Sequence, residues 1–298
     1  MSAAQEPAGL VRRHEQEASA AERHDLAALA RDAAGQLVGL GAFNVIQLEH
    51  AEAYATAAEA AGLPVVMQIS ENCVRYHGSL RPLVLATLAI AEDCAQPVVV
   101  HLDHAVSVEL VREALDLGIT SVMYDGSTLP DEANRETTRQ VAGWCAAAGA
   151  SLEAELGEVG GKDGVHAPGA RTDPADAARF VEDTGVDALA VAVGSSHAMT
   201  ERTARLDEDL VAAIAAQVPV PLVLHGSSGV PDDGLVGAVR AGMTKINIAT
   251  HLNSVFTQAM SARLAERPTV DTRAYLGAGR DAVAAEAERL LRLLALRP

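Results

Sequence analysis

Three cysteines (Cys73, Cys94 and Cys145) in 298 residues are too few and too scattered for a disulfide framework or a Cys-x-x-Cys metal clip. They read as reduced thiols, the usual state in the cytosol, so a cytoplasmic location is expected. Aromatic residues are equally sparse at 3%, and the core has to be built from Ala, Val, Leu and Ile. No run approaches the roughly 18 apolar residues that a membrane helix needs. The first 25 residues, with Arg12, Arg13 and several glutamates, lack the apolar stretch of a signal peptide. Positive charge is the minority: 23 Lys and Arg stand against 40 Asp and Glu, a formal net charge of -17. That balance excludes a general binder of nucleic acid or of anionic membranes. An anionic small molecule would need a locally positive site, supplied by a metal ion or by aimed backbone amides.

What is present is alternation. Residues 1–22 are polar and rich in Ala, Glu and Arg, and read as a frayed, disordered extension outside a single domain over 23–298. A helix pattern at about 24–36 precedes a first strand at Leu40–Ile46. Apolar, β-branched runs then recur near 64–70, 97–103, 119–124, 150–155, 187–193, 221–225 and 243–249. Helical patterns fall between them, near 48–61, 79–94, 107–117, 131–148, 174–184, 207–216, 231–240 and 250–264, and a last amphipathic helix spans 281–296. Several of the runs are apolar throughout, as strands buried on both faces should be. Eight β-α units in this length predict a (β/α)8 TIM barrel with an N-terminal extension and a C-terminal helix. A doubly wound sheet is the alternative, but no Gly-x-Gly-x-x-Gly turn follows the first strand.

Chemistry in such a barrel sits on the loops after the strands, and three histidines stand there: His104, His197 and His225. Together they predict an open metal site, because imidazole is a preferred zinc ligand and catalytic zinc keeps one position free. In His101-Leu102-Asp103-His104, strand alternation puts His101 and Asp103 on one face and His104 on the other, unless the strand has already ended. Asp103 suits a general acid/base beside a metal-activated oxygen or a partner that orients an imidazole. Glu153 and Glu155 share one strand face, where buried carboxylates need a partner or a metal. Gly226-Ser227-Ser228-Gly229 follows the seventh strand and Asn247-Ile248-Ala249-Thr250 the eighth, the two places where barrels often build a phosphate site. The glycines let the main chain approach an anion, and Ser227, Ser228 and Thr250 bring hydroxyl donors.

These motifs in this order, together with Gly41-Ala42-Phe43-Asn44-Val45 and Lys245-Ile246-Asn247, resemble the class II, zinc-dependent ketose-bisphosphate aldolases, the fructose- and tagatose-bisphosphate enzymes, over residues 24–295. Ala249 stands where the fructose branch usually has Asp, and looks closer to the tagatose type; Ser70-Glu71-Asn72 and Tyr76-His77-Gly78 look like the fructose type. The resemblance implies reversible cleavage of a ketose phosphate to dihydroxyacetone phosphate and an aldehyde, through a metal-stabilised ene-diolate. It implies zinc on His104, His197 and His225, with Glu155 as the ligand of a more buried metal position and a monovalent cation as a second candidate cofactor. Asp103 would be the proton donor to the aldehyde-derived oxygen. Gly226, Ser227, Ser228 and Asn247 through Thr250 would bind dihydroxyacetone phosphate, with Asn44 and Ser70 as further substrate contacts.

The resemblance also implies a homodimer or homotetramer. Two departures bear on specificity. The family's loop Glu is missing from Gly160-Gly161-Lys162-Asp163-Gly164, which offers Asp163 instead, and Ala198 replaces the usual Gly after His197. They motivate two alternatives: an aldolase for a modified or deoxy sugar phosphate, and a weakly catalytic barrel serving as a binding or assembly subunit.

Overall fold

The computed structural model describes residues 24–156, 171–197 and 199–297. The polar extension, the loop with Asp163, and Ala198 lie outside the described residues.

Helix α1 (Leu26–Gly35) precedes β1 (Leu40–Asn44), α2 (Leu48–Ala61), β2 (Val65–Ser70), α3 (Glu71–His77), α4 (Arg81–Asp93), β3 (Val98–Ala105) and α5 (Val108–Asp116). The alternation continues with β4 (Ser121–Tyr124), α6 (Asp131–Ala148), β5 (Ser151–Leu156), α7 (Pro174–Thr184), β6 (Ala188–Val191) and α8 (Glu208–Ala215). It ends with β7 (Leu222–Leu224), α9 (Asp232–Ala241), β8 (Met243–Ile248), α10 (Thr250–Glu266) and α11 (Thr272–Leu294). The eight strands are all parallel and close in sequence order, β8 pairing with β1. This is the expected TIM barrel. Among the described residues, no helix is long and apolar enough to cross a membrane.

Two elements differ from the pattern-based expectation. The short helix α3 intervenes before α4, capped by the Ser70 hydroxyl, which accepts from the Cys73 N–H, and ended by Gly78 at φ 74. The last helix begins at Thr272, nine residues before the amphipathic pattern, because the Asp271 side chain caps it.

The period-2 alternation of the strands decides what faces where. One set of side chains, including Phe43, Met67, Leu102, Leu152, Leu189, Leu224 and Ile248, joins a continuous core between barrel and helices. The other set points inward. At the N-terminal end that set is apolar: Leu40, Ala42, Val66 and Val99 pack on Leu26 of α1, which plugs the barrel floor. Towards the C-terminal mouth it turns polar, with Gln68, His101, Asp103, Glu153, Glu155, Lys245 and Asn247 all buried. A buried polar layer is costly unless its members satisfy one another or a ligand. Its location marks the end where a ligand belongs.

Candidate metal centre and active site

His104 lies on the same side as Asp103, not on the opposite face that strand alternation predicts. The strand has not ended, since β3 runs to Ala105. Instead its pairing with β4 shifts register between Leu102 and Ala105, and His104 takes a left-handed backbone with φ 49. A non-glycine residue in that region costs free energy and is held there by its surroundings. The holding contact is visible: His104 Nδ1 is 2.9 Å from Asp125 Oδ2 at the end of β4.

His104 thereby meets the two other histidines. Ring centroids lie 5.1 Å apart for His104–His197, 4.5 Å for His104–His225 and 5.8 Å for His197–His225. One donor atom from each of His104, Glu155, His197 and His225 falls within 4.8 Å of all the others. Three imidazoles and one carboxylate suit a divalent ion such as zinc in number and chemistry.

Beneath this group is a second polar set. His225 Nδ1 is 2.8 Å from Glu155 Oε2, and its Nε2 is 3.0 Å from Glu153 Oε1. Glu153 Oε2 in turn is 2.9 Å from Lys245 Nζ and 3.8 Å from His101 Nε2, while His101 Nδ1 is 2.7 Å from Ser121 Oγ. Burial alone would depress the His225 imidazole, but the carboxylates on both sides carry it up to about 9. His101 goes the other way: burial, reinforced by the Lys245 ammonium, takes it down to about 3. Burial raises the Asp103 carboxyl, yet the charges of His104, Lys245 and His225 outweigh it and hold Asp103 below its ordinary range. Asp103 is steered by a polar chain in which Gln68 Nε2 donates to Asn44 Oδ1 (2.8 Å) and Asn44 Nδ2 donates to Asp103 Oδ2 (3.0 Å).

A cavity of about 180 Å³ opens above the histidines, lined by Asn44, Ser70, Asp103, His104, His197, Gly226, Ser228, Asn247, Ala249 and Thr250, with Gln68 and Asn72. Gly226 sits at φ 67, and a Cβ there would come within 2.6–2.9 Å of the Ser196 backbone, so the close turn requires glycine. The loops after β7 and β8 are joined by the Ala249 N–H, which donates to Ser228 Oγ at 3.2 Å. Thr250 then opens the 17-residue α10, whose N-terminus adds free N–H groups and a positive dipole end. Neither polar atom of the buried Asn247 side chain has a hydrogen-bond partner. Such a group is normally satisfied by a ligand or water.

Of the residues expected around a phosphate, two side chains stay outside the cavity. Ser227 Oγ donates to Leu224 O at 3.0 Å, stabilising the turn, and Ile248 points outward into the core. Larger cavities of about 310 and 430 Å³ lie at the barrel floor, the first beside α4 and the start of β3 and the second along α1. Their size does not outweigh the donor group at the mouth, the end where barrels of this kind carry their chemistry.

Sequence reasoning overlooked Asp125 and the Lys245–Glu153 pair. Asp125 follows a strand directly, as His225 does, and Lys245 is a lone cation in the otherwise uncharged run Met243–Ile248; both signals were legible.

The family model for class II fructose-bisphosphate aldolase matches residues 24–297. A 6-phospho-5-dehydro-2-deoxy-D-gluconate aldolase of Shouchella clausii (strain KSM-K16) is 37% identical over 271 residues, 90% of this chain and 92% of its own length. A fructose-bisphosphate aldolase of Geobacillus stearothermophilus is 39% identical over 251 residues, 83% and 88% of the two chains. The crystal structure of the YdjI aldolase of Escherichia coli K12 superposes with a TM-score of 0.78 at 30% identity, covering 91% of this chain and 96% of that one.

Proposed function

This chain belongs to the class II fructose-bisphosphate aldolase family, and we propose that it cleaves a ketose phosphate reversibly to dihydroxyacetone phosphate and an aldehyde, with zinc as its resident ion. The observation that carries this reading is the convergence of donors from His104, His197, His225 and Glu155 within 4.8 Å. The three histidines would hold the ion, and Glu155 would serve a deeper position. When bound, the ion supplies Lewis-acid polarisation of the substrate carbonyl.

The rest of the reaction is assigned to the chain's own groups. Gly226, Ser228, Ala249 and Thr250, with the main chain at Ser227 and Ile248, cradle the phosphate at the start of α10, so an acidic protein binds an anion without a basic side chain. Asn247 offers its unpartnered amide to the bound substrate. Asp103, with Lys245 among the charges that favour its ionised form, accepts the hydroxyl proton in the cleavage direction and returns it to the aldehyde oxygen in condensation. Asn44 orients that carboxylate, and Ser70 stands beside it across the β2–β3 pairing. Asp163 is assigned the proton at the carbon next to the carbonyl.

The 37% identity to a deoxy-gluconate-phosphate aldolase favours a second reading, in which the same chemistry serves a deoxy sugar phosphate. One experiment addresses both. Zinc-loaded and chelator-stripped protein are compared for release of dihydroxyacetone phosphate from fructose 1,6-bisphosphate, tagatose 1,6-bisphosphate and 6-phospho-5-dehydro-2-deoxy-gluconate. Chelator-sensitive release from one of them is expected, and the preferred substrate selects between the readings. No release from any of the three by the loaded protein overturns both.

A further inference from the structure

Inside the barrel lies a buried charged pair that the proposed chemistry leaves idle. Lys245 on β8 is 1% exposed and Glu153 on β5 likewise, and their charged atoms are 2.9 Å apart. Lys245 does not line the cavity above the histidines, so it is not placed to touch a substrate held there. A buried ion pair rarely stabilises a fold better than apolar residues of the same size. Its presence needs another reason.

The geometry gives one. Glu153 precedes Glu155 by two residues, so it lies on the same face one pleat deeper, roughly 6.6 Å down the strand. Glu155 belongs to the four-residue donor group and Glu153 does not. His225 lies between them: Nδ1 faces Glu155 at 2.8 Å and Nε2 faces Glu153 at 3.0 Å. The nitrogen turned towards the other donors is therefore Nδ1, and Glu153 receives the far side of the ring.

We infer that Glu153 and Lys245 are positioning residues for the metal centre. Glu153 accepts a hydrogen bond from His225 Nε2 and so commits Nδ1 to the ion. Lys245 holds the other oxygen of Glu153 and neutralises it, which keeps that carboxylate an anchor and prevents it from becoming an extra ligand. This inference rests on the reading that His104, Glu155, His197 and His225 hold a divalent ion. A carboxylate behind a ligating imidazole fixes ring orientation and strengthens the ligand, and loss of such a partner weakens metal binding on the order of 10–100-fold.

The test uses the full chain, with zinc affinity read by competition against a chromophoric chelator and coordination read by the visible absorption of the cobalt(II)-loaded protein. In E153L/K245M, apolar side chains of similar size replace the pair. Its metal-free melting temperature is expected close to that of the unmodified protein, with zinc binding weakened on the order of 10–100-fold. In E153Q/K245M an amide oxygen again faces His225, and most of that affinity should return. K245M alone leaves Glu153 unrestrained, and the cobalt absorption should weaken as coordination rises above four.

E153L/K245M binding zinc as tightly as the unmodified chain would overturn the inference and leave the metal site intact. If E153L/K245M does not fold, K245M decides: unchanged affinity and an unchanged cobalt spectrum reject the positioning role. An unmodified chain that takes up no zinc removes the metal-centre reading, and this one with it.

Discussion

The His104 imidazole is fixed from behind by Asp125, Nδ1 to Oδ2 at 2.9 Å, and this contact offsets a backbone that strand geometry does not favour. With φ at 49, His104 would relax towards an extended conformation and swing to the outer face if nothing held it. Replacing Asp125 by Ala should therefore weaken zinc binding on the order of 10–100-fold. Activity should fall at limiting zinc and recover in large part at saturating zinc. A chelator-competition titration with rates at two zinc concentrations checks this. An unchanged affinity would mean that barrel packing alone holds the ring.

Gly226 packs directly against backbone in the turn after β7. Gly226→Ala places a methyl group against the Ser196 backbone at under 3 Å, at a left-handed φ of 67. The backbone next to His197 must shift, and both strain and displacement follow. The expected cost is about 1–3 kcal/mol of stability, seen as a lowered denaturation midpoint. The Michaelis constant for a phosphorylated substrate should rise at the same time. Unaltered stability and kinetics together would show that the turn relaxes without consequence.

Much of the barrel was legible because each strand is a short apolar run and each helix a longer amphipathic one. The eight parallel strands fell within a few residues of their expected positions. Helix α3 escaped because Glu71–His77 has no apolar stripe, although its Ser70 cap and Gly78 stop are both sequence signals. The gathering of the three histidines followed from their placement at or beyond the C-terminal ends of strands. The orientation of His104 did not, because a left-handed residue inside a strand depends on tertiary contacts that period-2 reasoning omits. The pairing of Lys245 with Glu153 was equally hidden: β8 and β5 are not neighbours in the sheet, and only closure of the barrel brings them together.

Asn247 separates binding from folding. Its buried amide has no partner on either atom, so the fold carries a desolvation cost that a bound substrate can repay. Asn247→Ala should leave the ligand-free protein as stable as before, or slightly more so. Substrate binding should weaken by about 1–3 kcal/mol, the range for a lost hydrogen bond to a polar or charged group. Melting curves and steady-state kinetics on the same preparations decide the matter. A destabilised variant with unchanged Michaelis constant would assign Asn247 to the fold.

The start of α10 is tied to its neighbours by charges that titrate in acid. His251 Nε2 is 2.7 Å from Glu286 Oε1 on α11, and Arg289 bonds both Glu286 and Asp232 of α9. Burial pushes the Glu286 carboxyl up, but Arg289 and His251 outweigh it and bring it down to about 2. A depressed acid stabilises the folded state fully above its unfolded pKa, about 4.3, and loses that contribution as pH falls through about 2. Glu286→Gln should thus cost stability at pH 7, by about 1–2 kcal/mol once solvent screening of the partly exposed Arg289 is allowed for. The gap between variant and unmodified protein should narrow steadily below pH 4.3, because the unmodified carboxyl then gains its own proton. Urea midpoints measured from pH 7 down to pH 3 test the sign: a gap that widens in acid would show that repulsion from other carboxylates, not attraction to Arg289 and His251, dominates at Glu286.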